Sequence, residues 1–432
     1  RVDGVGDMGA YLTAMGPWPA TMVTSRNIIS VYKTPAISYN AKCIFTNTVP
    51  TGPYRGAGRP ESKFFLERLI DKAAEEMGID RIELRRRNLI SPDMLPHETP
   101  VDLTYDSGEF ETIMDMCLDR ADYSGYAARK QASEIDVKIR GIGVAPYLET
   151  TAGPGTELAD IRFEEDGSVT LVTGNKDFGM GHATPFAQVL SAQLGIPFEA
   201  INLVQYDSDE MSPGAGGSGG SRSMIAASGA IIECAETIVD NGKKLAGHVL
   251  EAAVEDIEFA DGVFTVAGTD RKIGIMTLAE KARELGGTGD LPDDLSHKVN
   301  HNTAPISFPN GCHVAEVEID PDTGVIGIDR YTVVDDFGVV VNPMIVEGQV
   351  HGGIAQGIGQ VLAEDTIYDE DGQLVTGTFL DYQLPRADDI AHGIDRLAHH
   401  LHTGLLAGKV LLARSERLAF SLEAFSDEFA RI

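Results

Sequence analysis

Three glycine-rich segments constrain the possible folds of this chain more than any other feature of its sequence. They occupy residues 178–184, 214–223 and 352–359, and the first two run directly into predicted helices. Glycine has no side chain, so such a loop lets backbone N–H groups approach a neighbouring molecule closely. The chain holds 47 glycines in 432 residues, which is about 11% against a usual 7%. We therefore expect tight turns in which the backbone itself contacts a bound group.

The middle segment contains a G-x-G-x-x-G pattern formed by Gly214, Gly216 and Gly219. A dinucleotide-binding fold also needs a strand that ends in an acidic residue about 20 residues later, but residues 231–235 have a helical pattern. No Gly-Lys-Ser/Thr follows, so the Walker A pattern is absent as well. A nucleotide-binding module of the Rossmann type is therefore disfavoured.

The same segment nevertheless has the chemistry of an anion site. Ser221, Arg222 and Ser223 supply side-chain donors, and the helix that begins near Ser223 presents the positive end of its dipole. Backbone N–H groups and an arginine together suit an anionic, phosphate-bearing ligand. A flexible Gly/Ser turn that binds nothing is the alternative.

Composition excludes several functions. Lysine and arginine total 35 against 66 aspartates and glutamates, which gives a formal net charge of −31. So acidic a chain is a poor electrostatic binder of nucleic acid or of anionic lipid. No run of about 18 apolar residues predicts a membrane span. The four cysteines are isolated in the sequence, which predicts reduced, buried thiols and argues against a disulfide scaffold or a Cys-ligated metal centre.

The order of predicted elements indicates an α+β fold, in which mixed or antiparallel sheets alternate with helices. Hairpins are predicted at residues 166–167, 261–262, 321–324 and 371–372. Helices are predicted over residues 185–194 and about 223–253, whereas residues 1–50 have the pattern of short strands and loops.

Two further helices are predicted within the first hundred residues. The first follows Pro60, ends at Gly78 and has an apolar stripe that is expected to be buried. This stripe consists of Phe64, Phe65, Leu69, Ala73 and Met77. The second begins after Asp80 and runs to Leu89, and its three arginines at 85–87 are expected to form a solvated or salt-bridged face.

Four motifs occur in a characteristic order along the chain. Residues 53–61 read Pro-Tyr-Arg-Gly-Ala-Gly-Arg-Pro-Glu, residues 83–90 read Glu-Leu-Arg-Arg-Arg-Asn-Leu-Ile, residues 219–223 read Gly-Gly-Ser-Arg-Ser, and residues 346–359 read Val-Glu-Gly-Gln-Val-His-Gly-Gly-Ile-Ala-Gln-Gly-Ile-Gly. Together they resemble the molybdenum-cofactor-binding subunit of the xanthine dehydrogenase, aldehyde oxidase and carbon monoxide dehydrogenase family. The resemblance covers nearly all of residues 1–386.

The first motif is similar to the active-site loop of the carbon-monoxide-dehydrogenase-like form. Gly56 stands where the true carbon monoxide enzymes have a copper-binding cysteine.

This resemblance implies hydroxylation of an activated carbon in an aldehyde or an N-heterocycle, with the oxygen drawn from water. It implies a molybdopterin cofactor, with or without a cytidine dinucleotide tail. Electrons would leave through an iron–sulfur subunit and an FAD subunit. The pterin carries the metal, so the resemblance assigns no protein ligand to molybdenum.

The resemblance also implies roles for individual residues. Arg55 would be the catalytic residue, which orients the substrate or stabilises charge that develops on it. Gln356 would hydrogen-bond near the cofactor. The implied cofactor-binding set is Gly179, Met180, Gly181, Gly220, Ser221, Arg222, Ser223, Gln356 and Gly357.

Two departures from the family pattern bear on activity. Met180 stands where the family usually has a glutamine between two glycines, so a thioether replaces the amide that contacts a molybdenum oxo ligand. After Arg386 the family continues to a Gly-x-Gly-Glu segment whose glutamate is the catalytic base. Residues 391–432 hold no such segment, and Glu416 and Glu423 lack its glycines. A shifted reading frame or a truncated gene is one explanation, and a divergent helical tail is the other.

We predict three segments along the chain. Residues 1–135 would be the C-terminal part of a first molybdopterin-binding domain with the active-site loop, residues 136–386 a second such domain, and residues 387–432 a divergent tail. The first domain is expected to be incomplete, because the family's Gly-Gly-Phe-Gly loop has no counterpart before Tyr54. The sequence thus favours a cytoplasmic molybdenum hydroxylase subunit or a fragment of one. The alternative is a catalytically inactive partial paralogue that binds cofactor or partner subunits.

Overall fold

The computed structural model describes residues 1–151, 155–205, 207–210, 218–287, 291–303, 306–387, 389–390 and 398–402. The helices are α1 (Thr24–Asn27), α2 (Arg59–Met77), α3 (Arg81–Asn88), α4 (Phe110–Arg120), α5 (Tyr126–Ile135), α6 (Ala183–Leu194), α7 (Ser223–Val249), α8 (Ile275–Leu285) and α9 (Pro343–Leu362). The strands are β1 (Val2–Asp7), β2 (Tyr39–Ile44), β3 (His97–Glu98), β4 (Thr104–Tyr105), β5 (Ile139–Leu148), β6 (Thr156–Phe163), β7 (Val169–Thr173), β8 (Ile201–Val204), β9 (Ile257–Ala260), β10 (Val263–Val266), β11 (Lys272–Gly274), β12 (His297–Asn302), β13 (Asn310–Ile319), β14 (Ile326–Asp336) and β15 (Ala398–His402). The predicted α+β class is confirmed.

Local turn chemistry places most of these elements where the sequence predicts them. The turns at 166–167, 261–262 and 321–324 connect the antiparallel pairs β6–β7, β9–β10 and β13–β14. The turn at 371–372 closes a single bridge between Tyr368 and Leu374 instead of a strand pair. Residues 1–50 also differ from expectation, because a helical turn at Pro19–Val23 leads into α1. The predicted tail beyond residue 402, including the expected helix and Glu416 and Glu423, lies outside the described residues.

Helix α2 turns a different face inward from the one its apolar residues predict. Phe64 and Leu69 are each 65% exposed, so the prediction of a buried apolar stripe is wrong. The buried positions include Glu67, whose carboxylate accepts a hydrogen bond from Arg85 Nε at 2.9 Å. Arg85 is fully buried, and its Nη1 also donates to Asp71 at 2.8 Å. A buried guanidinium needs carboxylate partners, and this requirement sets the orientation of α2.

The remaining predictions for this region hold in part. Arg86 pairs with Glu111 and Asp115, and Arg87 pairs with Glu83, so these two arginines are salt-bridged as predicted. Arg85 is the exception, because it is buried. Among the cysteines, Cys117, Cys234 and Cys312 are buried and reduced, whereas Cys43 is exposed, which corrects the expectation of four buried thiols.

The described chain divides into two compact units. The first unit holds residues 1–150, 307–340 and 346–402, and the second unit holds residues 151–306 and 341–345. These units are built from interleaved stretches of the chain, whereas the predicted domains are continuous segments. The boundaries at residues 135 and 386 stay a prediction.

The first unit is organised around a four-stranded sheet with the order β15-β14-β13-β5. β13 pairs antiparallel with both β5 and β14. Helix α4 packs against this sheet through Cys117, whose Sγ donates to the backbone oxygen of Cys312 at 3.0 Å. In the sheet register Gly311 lies between Tyr147 and Asp335, and the Tyr147 hydroxyl donates to Asp335 Oδ1 at 2.9 Å.

The second unit has a sheet of order β12-β6-β7-β8, of which one face is covered by α6 and α7. Alternate residues of β6, such as Ala159, Ile161 and Phe163, join the apolar core with residues from α7, such as Ile231 and Ile238. This core holds the N-terminal end of α7 and the loop before α6 at fixed places in the unit.

We expect the substitution Gly311→Ala to destabilise the protein by about 1–3 kcal/mol, as overpacked cores do. A Cβ at this position would lie 2.1 Å from Asp335 Oδ1 and 2.5 Å from the Tyr147 ring. Gly143→Ala is the matched control, because a Cβ there has nothing within 4 Å. Urea denaturation of both variants measures the difference. Equal stability of the two variants would contradict this packing.

Asp335 is expected to make folding stability depend on pH. Burial raises the pKa of Asp335 to about 7, although the Tyr147 hydrogen bond opposes this rise. The native state then binds a proton that the unfolded state loses above the ordinary pKa of aspartate, so stability falls as the pH rises from 4 to 7. The slope is at most about 1.4 kcal/mol per pH unit. Denaturation of Asp335→Asn from pH 4 to 8 should show a flatter profile than wild type, and an unchanged profile would contradict this.

Candidate functional site

Arg55 lies on a tight loop of the first unit whose backbone conformation depends on glycine. Gly56, Ala57 and Gly58 have φ values of 95°, 48° and 103°, all in the left-handed region. A Cβ at Gly56 would lie 2.5 Å from the ring of Pro60, and a Cβ at Gly58 would lie 2.4 Å from a backbone oxygen of Pro19. The Gly-Ala-Gly sequence therefore permits the turn that presents Arg55.

Hydrogen bonds and an ion pair hold the end of this loop that leads into α2. Arg59 donates from Nη1 to the backbone oxygen of Gly56 at 3.2 Å and from Nη2 to that of Thr150 at 2.6 Å. The carboxylate of Glu149 lies 2.9 Å from Arg59 Nε. Thr24 Oγ1 donates to the backbone oxygen of Gly58 at 3.0 Å. The loop is therefore preorganised before any ligand binds.

The guanidinium of Arg55 rests against α9 of the same unit. Nη2 donates to the backbone oxygen of Gln349 at 2.9 Å and to its Oε1 at 2.7 Å. Nη1 donates to Oε1 of Gln356 at 3.5 Å. The structure thus brings Arg55 and Gln356 together, as a shared site requires. The sequence reasoning missed Gln349, although it precedes Gln356 by seven residues and so lies on the same face of the helix.

Two glycines make room for this contact. A Cβ at Gly352 would lie 3.1 Å from Arg55 Nη1, and a Cβ at Gly353 would lie 3.9 Å from its Cζ. Any larger residue at position 352 would displace the guanidinium. Gly357 follows Gln356 on the helix and is exposed, with open space where a Cβ would stand.

A carboxylate and two phenols lie near the same loop. The Tyr382 hydroxyl donates to Glu364 Oε2 at 2.7 Å, and this hydrogen bond raises the pKa of Tyr382 to about 12. Partial burial and the charge of Glu364 raise the pKa of Tyr54, which precedes Arg55, while Arg55 itself lowers it. Both phenols are therefore neutral near pH 7.

In the second unit, the loop that holds Gly179, Met180 and Gly181 is closed by hydrogen bonds to the side chain of Asp177. Asp177 Oδ1 accepts from the backbone N–H groups of these three residues at 2.7, 2.6 and 3.3 Å, and Oδ2 accepts from that of His182 at 2.8 Å. Partial burial raises the pKa of Asp177, but these N–H bonds outweigh it and leave the pKa below its ordinary value. The N–H groups of residues 179–182 are thus used within the loop.

Met180 is half-buried in this loop. Its Sδ lies 3.4 Å from the backbone N of Phe178, which donates to it. Gly179 and Gly181 have φ values of 104° and 75°, so both need the left-handed region. A ligand beside this loop would meet a thioether, which is a weak acceptor and no donor.

The N-terminal end of α7 offers a contrasting set of donors. Gly220 and Ser221 have φ values of 62° and 58°, and the chain then enters the 27-residue helix at Ser223. Among the described residues, no hydrogen-bond acceptor contacts Nε or Nη2 of Arg222, although both atoms are buried. A Cβ at Gly155 would lie 3.2 Å from this Nη2, so glycine leaves the space around it open. Buried guanidinium N–H groups without an acceptor fit an anionic ligand.

A buried glutamate lies in the same region of the second unit. Glu157 is fully buried, and its oxygens accept from the backbone N of Leu158 and Gly174 at 3.1 and 2.9 Å and from Asn175 Nδ2 at 2.7 Å. Burial raises the pKa of Glu157, while these bonds and the charge of Arg222 lower it. Its carboxylate is thus committed to other donors, and no hydrogen bond from Arg222 reaches it.

The described part of the chain contains no group of three or more histidine, cysteine, aspartate or glutamate side chains that could hold a metal ion. The helices of the described segments include none that is both long and apolar enough to cross a bilayer.

Comparison with known proteins identifies the family. Molybdopterin cofactor-binding domains match residues 1–89 and 116–391. The gamma subunit of the 6-hydroxypseudooxynicotine dehydrogenase complex from Paenarthrobacter nicotinovorans is 34% identical over 391 residues, which are 88% of this chain and 49% of that protein. The carbon monoxide dehydrogenase large chain of Hydrogenophaga pseudoflava is 31% identical over 409 residues, which are 91% of this chain and 51% of that protein. The chain therefore belongs to the molybdopterin-binding subunits of the xanthine dehydrogenase, aldehyde oxidase and carbon monoxide dehydrogenase family.

The solved structures agree with this assignment. Quinoline 2-oxidoreductase from Pseudomonas putida 86 matches with a TM-score of 0.84 and 31% identity, over 92% of this chain and 52% of that one. Carbon monoxide dehydrogenase from Oligotropha carboxidovorans matches with a TM-score of 0.84 and 28% identity, over 93% of this chain and 52% of that one. The chain thus spans about half the length of the relatives it matches.

The residues on the second unit fit the cofactor that these domains bind. Molybdopterin carries a phosphate, and Arg222 has buried N–H groups without an acceptor among the described residues. The side chain of Arg222, which is the N-cap residue of α7, makes no capping hydrogen bond, and the backbone N–H groups of the first turn point toward this end of the helix. This donor set matches a phosphate in charge and in hydrogen-bond polarity.

Replacement of Asp177 by alanine should loosen the glycine loop that precedes α6. The change removes the acceptor of four backbone N–H groups, and we expect a loss of about 1–2 kcal/mol and faster amide exchange at residues 179–182. Asp177→Asn keeps one acceptor oxygen and should give a smaller effect. Hydrogen exchange read by mass spectrometry measures this. Exchange at wild-type rates in Asp177→Ala would show that the carboxylate does not organise the loop.

Proposed function

We propose that this chain is the molybdopterin-binding part of a molybdenum hydroxylase, which oxidises an aldehyde or an N-heterocycle with water as the source of oxygen. The observation that carries the proposal is the half-buried side chain of Arg222, whose buried Nε and Nη2 have no hydrogen-bond acceptor among the described residues. The matches to molybdopterin cofactor-binding domains support it. So do the names of two relatives, a nicotine 6-hydroxylase large subunit and a quinoline 2-oxidoreductase, because nicotine and quinoline are both N-heterocycles.

Arg222 and the first turn of α7 would hold the phosphate of the cofactor, together with Gly220, Ser221 and Ser223. A cytidine dinucleotide tail would add further phosphate for the same donors. Met180, with Gly179 and Gly181, would contact the cofactor through a thioether and not an amide. When bound, the cofactor supplies the two-electron oxidation of the substrate.

Arg55 would act on the substrate. Its guanidinium is a planar donor of hydrogen bonds, and Gln349 and Gln356 fix its orientation. An N–H group of Arg55 can donate to the carbonyl oxygen of an aldehyde or to a ring nitrogen, and so stabilise negative charge that develops there. Gln356, and Gly357 beside it, would lie next to the cofactor in this arrangement.

A second candidate function is a subunit that binds cofactor or partner subunits without turnover. Met180 in place of the family's glutamine favours it, and so does the absence of a Gly-x-Gly-Glu segment from residues 387–432 of the sequence. In both cases we propose an iron–sulfur subunit and an FAD subunit as partners. Relatives named as a large chain and as a complex subunit gamma support a multi-subunit assembly.

The variant Arg222→Met should lose molybdenum and pterin when the protein is purified from cells that supply the cofactor. We expect at least about a tenfold lower cofactor content, because a charge-assisted contact to phosphate is lost. Arg271→Met is the control, since Arg271 lies in the same unit, is exposed and donates to the backbone oxygen of Leu250. Metal analysis and pterin fluorescence after oxidation measure the content.

Equal cofactor content in both variants and in wild type would contradict the role of Arg222. A wild-type protein that contains neither molybdenum nor pterin would overturn the proposed function itself. Turnover of an aldehyde or a purine with a dye acceptor then separates the two candidates, because only the hydroxylase reduces the dye.

A further inference from the structure

The way in which α9 holds Arg55 limits what Arg55 can bind. A guanidinium has five N–H groups and two edges that can bind a carboxylate bidentately. One edge combines Nη1 with Nη2, and the other combines Nε with Nη2. Both edges therefore require a hydrogen of Nη2.

In this structure Nη2 is engaged by a single residue. It has two hydrogens and donates to two oxygens of Gln349, the backbone oxygen at 2.9 Å and Oε1 at 2.7 Å. Gln356 Oε1 takes a further N–H group, from Nη1, at 3.5 Å. Within the described part of the chain, single N–H groups on Nε and Nη1 are left for a substrate, and these two groups do not form one edge.

We propose that Gln349 is a specificity-determining residue, which blocks bidentate binding of carboxylates by Arg55 and leaves single N–H donors for a neutral acceptor. Such an acceptor is the carbonyl oxygen of an aldehyde or a ring nitrogen. The inference rests on the proposed function for the identity of the substrate, and on the geometry of Arg55 for the exclusion of carboxylates.

Two further features support this. Gly352 brings the guanidinium against the helix, because a Cβ there would lie 3.1 Å from Nη1, so Gln349 and Arg55 meet without any rearrangement. Glu364 places a negative charge close enough to the loop to raise the pKa of Tyr54. A second carboxylate beside Arg55 would be repelled by this charge.

Chemical modification tests the proposal on the chain itself. Phenylglyoxal condenses with two nitrogens of one guanidinium, and mass spectrometry of peptides reads its rate at Arg55. Benzoate is the carboxylate probe, since a bidentate complex shields the guanidinium. In wild type we expect benzoate to leave the rate at Arg55 unchanged within about twofold. In Gln349→Leu one hydrogen of Nη2 is freed, and benzoate should slow the modification by about tenfold.

Two other variants complete the test. Gln349→Glu keeps an acceptor on Nη2, so it should restore the wild-type insensitivity to benzoate. Gln360→Leu makes the same change at an exposed position of α9 and should behave as wild type. Benzoate protection of Arg55 in the wild-type chain would overturn the proposal, and this arm needs no variant to fold. Equal insensitivity in wild type and in a folded Gln349→Leu would overturn it as well.

A holoenzyme measurement separates this inference from the proposed function. The inhibition constant of benzoate against benzaldehyde turnover should be about tenfold lower in Gln349→Leu than in wild type. An unchanged inhibition constant would contradict the specificity role. If the wild-type protein holds no molybdenum, the proposed function fails, while the benzoate experiment still decides whether Gln349 controls access to Arg55.

Discussion

Arginine cannot give up its proton inside a protein, so every partly or fully buried guanidinium must find acceptors, and this constraint organises both units. Arg85 finds them in Glu67 and Asp71, and α2 is oriented so that these carboxylates face inward. Arg55 is exposed, and its guanidinium is oriented by neutral oxygens of Gln349 and Gln356. Arg222 has buried N–H groups that reach no acceptor among the described residues. The first arrangement stabilises the fold, whereas Arg55 in the first unit and Arg222 in the second unit are candidate functional residues.

The difference between these arginines follows from their surroundings. A carboxylate partner neutralises a guanidinium and commits it to structure, whereas amide and carbonyl oxygens orient it without cancelling its charge. Asp177 shows the complementary case, since four backbone N–H groups surround its carboxylate and the glycine loop is closed without a ligand. Gly220, Ser221 and Arg222 at the N-terminal end of α7 are therefore better candidates for binding an anionic cofactor than residues 179–182.

Local sequence predicts much of the fold. The Asp-Gly turns at 166–167 and 261–262 and the cap at Asp80 are decided by neighbours a few residues apart, and the corresponding hairpins and helix are present. The burial of Arg85 and the contact of Arg55 with Gln349 could not be predicted from residues that are near in sequence. The latter joins residues 294 positions apart, and only the packing of α9 against the loop creates it. Likewise, the sequence indicates donors at Arg222, but not that Nε and Nη2 of its guanidinium are buried.

The measurement that tests the account most directly is an experimental structure of the protein purified with its cofactor. The account predicts that a phosphate oxygen of the molybdopterin lies within about 3 Å of Arg222 Nε or Nη2, the distance of a charge-assisted hydrogen bond. A structure in which a protein carboxylate or a water molecule takes those N–H groups, while the phosphate binds elsewhere, would contradict it.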